Sequence, residues 1–368
     1  MRPAVKIDGE HYYEYIMCYV DDILCMSMDA TQVMQRIAKN FKFKKDKIET
    51  PENYLGAKTA LKDLDGYKMW SLSSVDYVKA AVANVETTLA KQNRWKKLTS
   101  HAPTPMVSNY VPELDGSPEL TPKDHKWFQE LIGVLRWAIE LGRVDIHFEV
   151  SLLSQYQAQP REGHLEQALH IFAYLKKNPK LSLYMNWLPP NFDRTSIVNN
   201  SDDFKVLYRD AKEEMPSNMP IPRGREVELT AWVDASHAAN KVTRRSHTGY
   251  VIFANKAPVV WFSKRQNTVE ASTFGSEFIA LKACIESINY LRFKLRMFGV
   301  PLTGEPSQVF CDNISVVMNS SQVESTLNKK HNSIAYHYVR WNVAAGVVQV
   351  SWIDGAFNFA DAFTKRIT

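Results

Sequence analysis

Glu228-Leu229-Thr230-Ala231-Trp232-Val233-Asp234 is an apolar-rich run ending on an acid, and Val309-Phe310-Cys311-Asp312 repeats the pattern further along. β-Branched and aromatic residues dominate both runs, so each reads as a strand. If the two strands lie parallel and adjacent, both acids fall at the carboxyl edge of the sheet, where open α/β sheets place their sites. The surrounding pattern gives strands at 228–233, 248–254 and 258–263, a helix over 276–298, a strand at 307–311, two helical segments, a strand at 347–353 and a terminal helix. Three strands followed by alternating helix and strand predict a mixed sheet with one antiparallel meander and parallel neighbours.

Two further acids can reach that edge. Glu277 opens the long helix, whose core face is Phe278, Leu281, Ile285 and Ile288; Phe278 packs while Glu277 projects toward the strand ends. Asp361 lies in the terminal helix, four residues before Lys365. Taken singly, Asp312 reads equally as a turn or capping acid, and Asp361 as an i,i+4 partner of Lys365. Taken together, Asp234, Glu277, Asp312 and Asp361 offer hard oxygen ligands without His or Cys, which suits Mg²⁺ or Mn²⁺ and argues against zinc. Two such ions about 4 Å apart activate a water and clamp a scissile phosphate, with no protein nucleophile required. Residue chemistry alone stops at metal-dependent phosphoryl transfer, because several nucleases and transposases share such a cage on such a sheet.

Toward the N-terminus, Tyr19-Val20-Asp21-Asp22 separates two apolar runs, Tyr15-Ile16-Met17-Cys18 and Ile23-Leu24-Cys25-Met26, and reads as a hairpin with an acidic tip. An exposed Asp-Asp turn without metal would look the same. A helix over 30–39, a short strand through Phe41 and Phe43, and a second hairpin turning at Asp65-Gly66 follow. A helix from near Ser74 aligns Val78, Val82, Val85 and Leu89, and five prolines between Pro103 and Pro122 mark a loop. Three helical patterns come next: Trp127, Leu131, Leu135 and Ala138; Ile146, Val150 and Leu153; Leu165, Leu169, Phe172 and Leu175. That spacing is what a helix-bundle core requires. Apolar periodicity then fades over 189–226, which reads as a linker.

The chain has 368 residues, 45% hydrophobic and 11% aromatic, enough for two or three cored domains. Its 45 Lys and Arg against 40 Asp and Glu give a formal charge of +5, mildly suited to a polyanion. The four cysteines, Cys18, Cys25, Cys284 and Cys311, form no CxxC pair, which predicts a reducing intracellular setting. Neither a membrane span nor a signal peptide is expected, so the protein is read as not secreted.

Taken in order, the YVDD tetrapeptide at 19–22 resembles the reverse-transcriptase palm hairpin. Trp232-Val233-Asp234-Ala235-Ser236, Ser276-Glu277-Phe278, Cys311-Asp312-Asn313 and Ala360-Asp361-Ala362-Phe363-Thr364-Lys365 resemble the ribonuclease H blocks of Ty1/copia-type retrotransposon Pol polyproteins. Connecting blocks at 244–251, 261–266 and Lys330-His331 resemble the same family. The resemblance implies an α+β and α/β multidomain chain: the C-terminal part of a reverse-transcriptase palm with the start of the thumb at 1–105, a helical thumb and connection at 106–188, the linker, and a ribonuclease H-like mixed five-stranded sheet with helices at 227–368. It implies catalytic and metal-binding roles for Asp234, Glu277, Asp312 and Asp361, and polymerase-motif roles for Asp21 and Asp22. The expected reaction is hydrolysis of the RNA strand of an RNA–DNA hybrid with Mg²⁺ or Mn²⁺.

Arg244, Arg245, Lys264, Arg265 and Lys330 are candidate phosphate contacts, with plain solvated charge as the alternative. Besides the hybrid, the upstream part of a polyprotein is a candidate partner; cytoplasm, virus-like particle and nucleus are the candidate locations. Three departures qualify the family pattern. The partner palm aspartate has no good counterpart among the eighteen residues before Tyr19, Asp8 being a poor candidate, so polymerase activity is not expected from this chain alone. Gly275 stands where the family often carries a second acid, and Ala356 where retroviral-type relatives carry histidine. A catalytically decayed, nucleic-acid-binding fragment of a copia-type element is the alternative reading.

Overall fold

Among the described residues the chain builds three sheets, and the expected ribonuclease acids gather on one of them. The computed structural model describes residues 1–6, 9–20, 22–43, 48–91, 97–193, 201–327 and 332–366. The first sheet joins β1 (Arg2–Val5), β2 (His11–Tyr19) and β3 (Asp22–Met26) in antiparallel order. Tyr19 pairs with Asp22 across a turn in which Val20 takes φ 55°, the left-handed region a two-residue hairpin loop needs. Asp21 lies outside the described residues, as does Asp8. Helix α1 (Ala30–Ala38) starts from Asp29, whose side chain accepts from the Gln32 N–H. The strand expected at Phe41 and Phe43 does not form. Phe41 N–H bonds to the Ile37 carbonyl, prolonging the last turn of α1.

The second sheet contains β4 (Asn53–Tyr54), β5 (Ala57–Leu64) and β6 (Tyr67–Ser73), with Asp65 and Gly66 both at positive φ in the predicted turn. Helices α2 (Val75–Lys91), α3 (Pro122–Glu140), α4 (His147–Leu153) and α5 (Glu162–Lys177) then share one core that includes Phe128, Leu135, Leu165 and Phe172. The predicted apolar stripes are buried in it, except that Trp127 packs against it half-buried. Thr121 caps α3 by accepting from Asp124 N–H, and Pro122 follows at the first helical position. The helical stretch ends in a strand, β7 (Ser182–Tyr184), which pairs with β6 and so returns the chain to the second sheet.

The segment expected as a linker is mostly exposed where it is described, but two of its residues are anchored to the third sheet's domain. Phe204, at the end of α6 (Ser201–Phe204), is fully buried in the core of the third sheet. Glu213 holds Arg292 and Arg296 by ion pairs at 2.7 and 2.6 Å. Its polar composition concealed these two anchors.

The third sheet has the order β10-β9-β8-β11-β12, from β8 (Leu229–Ser236), β9 (His247–Ala254), β10 (Ala257–Arg265), β11 (Ser307–Cys311) and β12 (Val348–Trp352). Strands β8, β9 and β10 form the expected antiparallel meander, while β11 lies parallel to both β8 and β12. Leu229, Ala231, Val233 and Ala235 are buried, and the last three face α7 (Thr273–Met297) within one core. Phe278, Leu281, Ile285 and Ile288 of α7 are fully buried there, each burial worth roughly 1.5–3 kcal/mol. Helices α8 (Ile314–Ser321) and α9 (Ser333–Ala344) complete the layer. The terminal helix is instead a pair of 3₁₀ turns, Gly355–Phe357 and Phe359–Phe363. The helical module packs on this domain through α4 against β10, and the Phe148 ring of α4 meets His247 of β9 edge-on at 5.0 Å.

Candidate metal centre

Parallel pairing sets the first two acids side by side. Val233 is in register with Cys311, so Asp234 and Asp312 follow at the same level on neighbouring chains. Asp234 remains within β8, two residues before its end, and is 3% exposed. Asp361 arrives from the 3₁₀ turn, and carboxylate oxygens of Asp234, Asp312 and Asp361 all lie within 4.8 Å of one another. Glu277 forms a second group with Asp312 and Cys311 on the same criterion, so Asp312 is common to both. Helix α7 starts a turn earlier than the sequence pattern implied, at the Ser272 cap, which places Glu277 in its second turn.

Burial and like charge shape the site. Burial, then the charges of Asp234 and Asp312, push Glu277 up to about 9. Its Oε2 is buried without a hydrogen-bond partner. Asp234 is raised by burial and by Asp312 and Asp361, against the opposing Thr364 hydroxyl and Lys365 charge. Burial holds the Cys311 thiol well up and therefore protonated, so the donors that remain are carboxylate oxygens. An orphaned buried carboxylate oxygen beside three more acids is costly unless a cation completes it. The donor set fits a hard divalent ion.

Thr364 and Asn358, to which sequence reasoning gave no role, help hold this arrangement. The Thr364 hydroxyl donates to Asp234 Oδ2. Lys365 Nζ lies 2.7 Å from Asp361 Oδ1 and 3.8 Å from Asp234 Oδ2, so the i,i+4 reading of Asp361 and its place in the cluster are both true. Burial disfavours the Lys365 charge, but the Asp361 hydrogen bond and the charges of Asp234, Asp361 and Asp312 outweigh it and raise its pKa. Asn358 Nδ2 donates to the Val233 carbonyl at 3.1 Å and ties the turn to β8. Trp352 Nε1 donates to the Asp312 carbonyl at 3.1 Å. Gly249, opposite Asp234, admits the turn: a Cβ there would fall 2.6 Å from Thr364 Cγ2 and 2.8 Å from Phe363 Cβ. The signal available in sequence was the Thr364-Lys365 pair inside the last block.

Gly275 has a similar cause. Its Cβ position lies 2.5 Å from the Glu270 carboxylate and 2.9 Å from the Asn332 amide, so the space of an additional acid is already filled. The loop holding Ala356 borders the centre through Gly355, whose Cβ position is 3.4 Å from Asp312 Oδ2.

The basic candidates separate into two groups. Arg265 pairs with His247 and Lys264 with Thr248, at the end of β9 and β10 that adjoins the carboxyl end of β8; Arg244 and Arg245 lie just before β9, separated from it by Ser246. Four of the five thus share the acids' end of the sheet. Lys330 lies outside the described residues. Asp22 is exposed at the start of β3 and joins no multi-carboxylate group among the described residues.

No protein-family model matches the chain. It is 24% identical over 359 residues to the retrovirus-related Pol polyprotein from transposon RE1 of Arabidopsis thaliana, covering 96% of this chain and 21% of that protein. It is 24% identical to the Pol polyprotein from transposon TNT 1-94 of Nicotiana tabacum, covering 98% of this chain and 24% of that protein. The chain therefore spans about a fifth to a quarter of these relatives' length. Among solved structures, the N-terminal RNase H domain of rv2228c from Mycobacterium tuberculosis aligns at 14% identity and TM-score 0.29, covering 38% of this chain and 91% of that one. No described helix is long and apolar enough to cross a membrane.

Proposed function

We propose, for a chain similar along nearly its whole length to copia-type retrotransposon Pol polyproteins, that residues 227–368 form a ribonuclease H domain hydrolysing the RNA strand of RNA–DNA hybrids. The carrying observation is the convergence of Asp234, Glu277, Asp312 and Asp361 from β8, α7, the end of β11 and the 3₁₀ turn. These four would hold Mg²⁺ or Mn²⁺. When bound, the ions would supply an activated water and charge neutralisation at the scissile phosphate. The protein's own share is positional: Asp312 serves both acid groups, and Thr364 and Asn358 fix Asp234 and the turn. Arg244, Arg245, Lys264 and Arg265 would receive hybrid phosphates at the same end of the sheet. Residues 1–105 and 106–188 correspond to the palm and thumb/connection portions of such a polyprotein, whose upstream part is a candidate partner. Asp22 is exposed and joins no multi-carboxylate group among the described residues, and the chain by itself is not expected to extend a primer.

A labelled hybrid incubated with Mg²⁺ or Mn²⁺ tests this. Cleavage of the RNA strand should occur with the intact chain and vanish in Asp234→Asn and Asp312→Asn. Undiminished cleavage in either variant would remove these carboxylates from the mechanism.

A further inference from the structure

We propose that Lys365 is the resident counter-cation of the carboxylate cluster, so that a divalent ion enters the Asp234, Asp312 and Asp361 group only by displacing its ammonium. The inference rests on the metal-centre reading above. Lys365 Nζ is within hydrogen-bond distance of Asp361 Oδ1 and 3.8 Å from Asp234 Oδ2, while oxygens of all three acids lie within 4.8 Å of one another. An ion held by those oxygens would compete for carboxylate acceptor sites of which the ammonium now occupies one. The two cations would also repel one another there.

The side chain has a route out and the backbone does not. The Lys365 side chain is 53% exposed, so its ammonium can swing into water. Its N–H is held by the Asp361 carbonyl at 2.9 Å, and the next residue, Arg366, donates to the carbonyls of Val107, Ser108 and Tyr110 in the helical module. Displacement is therefore a side-chain rotation on a fixed strap. The Glu277 side of the cluster differs, because Glu277 Oε2 is buried and has no hydrogen-bond partner. The two halves should fill unequally: one ion enters beside Glu277 and Asp312 with no ammonium in its place, and the second competes with Lys365.

The test is Mn²⁺ binding to the full chain, followed by calorimetry and by the resonance of free Mn²⁺, with circular dichroism confirming the fold. Lys365→Met should tighten the weaker site by about 2- to 5-fold, the range expected when a partly exposed ion pair is removed as competitor. It should also enlarge the rise in thermal midpoint on adding Mn²⁺. Lys365→Arg, which keeps the cation, should bind like the parent. Unchanged or weaker Mn²⁺ affinity in a folded Lys365→Met, with Asp312→Asn still abolishing uptake, would overturn the displacement alone. Absence of Mn²⁺ uptake by the parent chain, or full uptake by Asp312→Asn, would overturn both this inference and the metal centre.

Discussion

Asp234 depends on a hydroxyl from 130 residues away, since Thr364 Oγ1 donates to an acid that is 3% exposed. Thr364→Val keeps the shape and deletes the donor, leaving a buried acceptor short of a partner. It should cost about 1–3 kcal/mol in urea denaturation and slow hybrid cleavage. An unchanged midpoint would show that water replaces the hydroxyl. His247 gives a second test. Burial, then the charges of His147 and Arg265, holds its pKa down at about 3, while burial and Arg136 hold His147 at about 4. Ser263 commits its proton to the Phe363 carbonyl, so His247 Nε2 donates to Ser263 Oγ and the neutral ring is already satisfied. Both folded values lie below the ordinary 6.5, so the unfolded chain binds the protons first. Stability is complete above about pH 6.5 and falls as pH drops toward 4, by roughly 1.4 kcal/mol per pH unit for each ring. Urea midpoints at pH 7.5 and 5.5 should show a shallower decline in His247→Gln; parallel declines would mean that other groups carry the effect.

Strands and long helices were legible because period 2 and period 3.6 run through them: β8, β11 and the stripe Phe278, Leu281, Ile285 and Ile288 behave as their patterns required. The last turn was not. A five-residue 3₁₀ element shows no period, and what fixes it is Asn358 bonding to Val233 together with the bare backbone of Gly249, both tertiary facts. Gly249→Ala should therefore act through the turn. Its Cβ would also stand 3.0 Å from the Phe363 carbonyl carbon, so backbone must move and Asp361 with it. We expect about 1–3 kcal/mol of destabilisation and a loss of cleavage exceeding that of an exposed Gly→Ala control. Retained cleavage would show that the turn can shift without breaking the cluster. The preceding turn carries Ala356, exposed beside the centre. If it occupies the place of the relatives' histidine, Ala356→His should raise turnover and add a titration near pH 6.5, within the ~10²–10⁴-fold that acid–base assistance can supply. Unchanged turnover in a folded variant would assign that loop a different register.

In the whole molecule, two contacts cross the boundary that composition drew. Polar residues and prolines over 189–226 look like a spacer, yet Phe204 sits in the core with Ile285, Val339 and Val343, and Glu213 neutralises Arg292, which is only 5% exposed. Neither residue announces itself, because a single aromatic and a single acid have no period. A fragment starting at Val227 would leave a cavity where Phe204 packs and a buried guanidinium without its carboxylate. Losing a buried Phe typically costs 3–5 kcal/mol and breaking a buried ion pair about as much, together comparable with the total stability of a domain. A fragment starting at Ser201 keeps both. Residues 201–368 should then fold and unfold cooperatively in urea, while 227–368 should be unfolded or molten, and only the longer piece should cleave hybrid. The contacts of Phe148 with His247 and of Arg366 with Val107 and Ser108 predict that even the longer piece is less stable than the intact chain. Equal stability of the two fragments would show that Phe204 and Glu213 merely rest on the domain, and the boundary near residue 227 would stand.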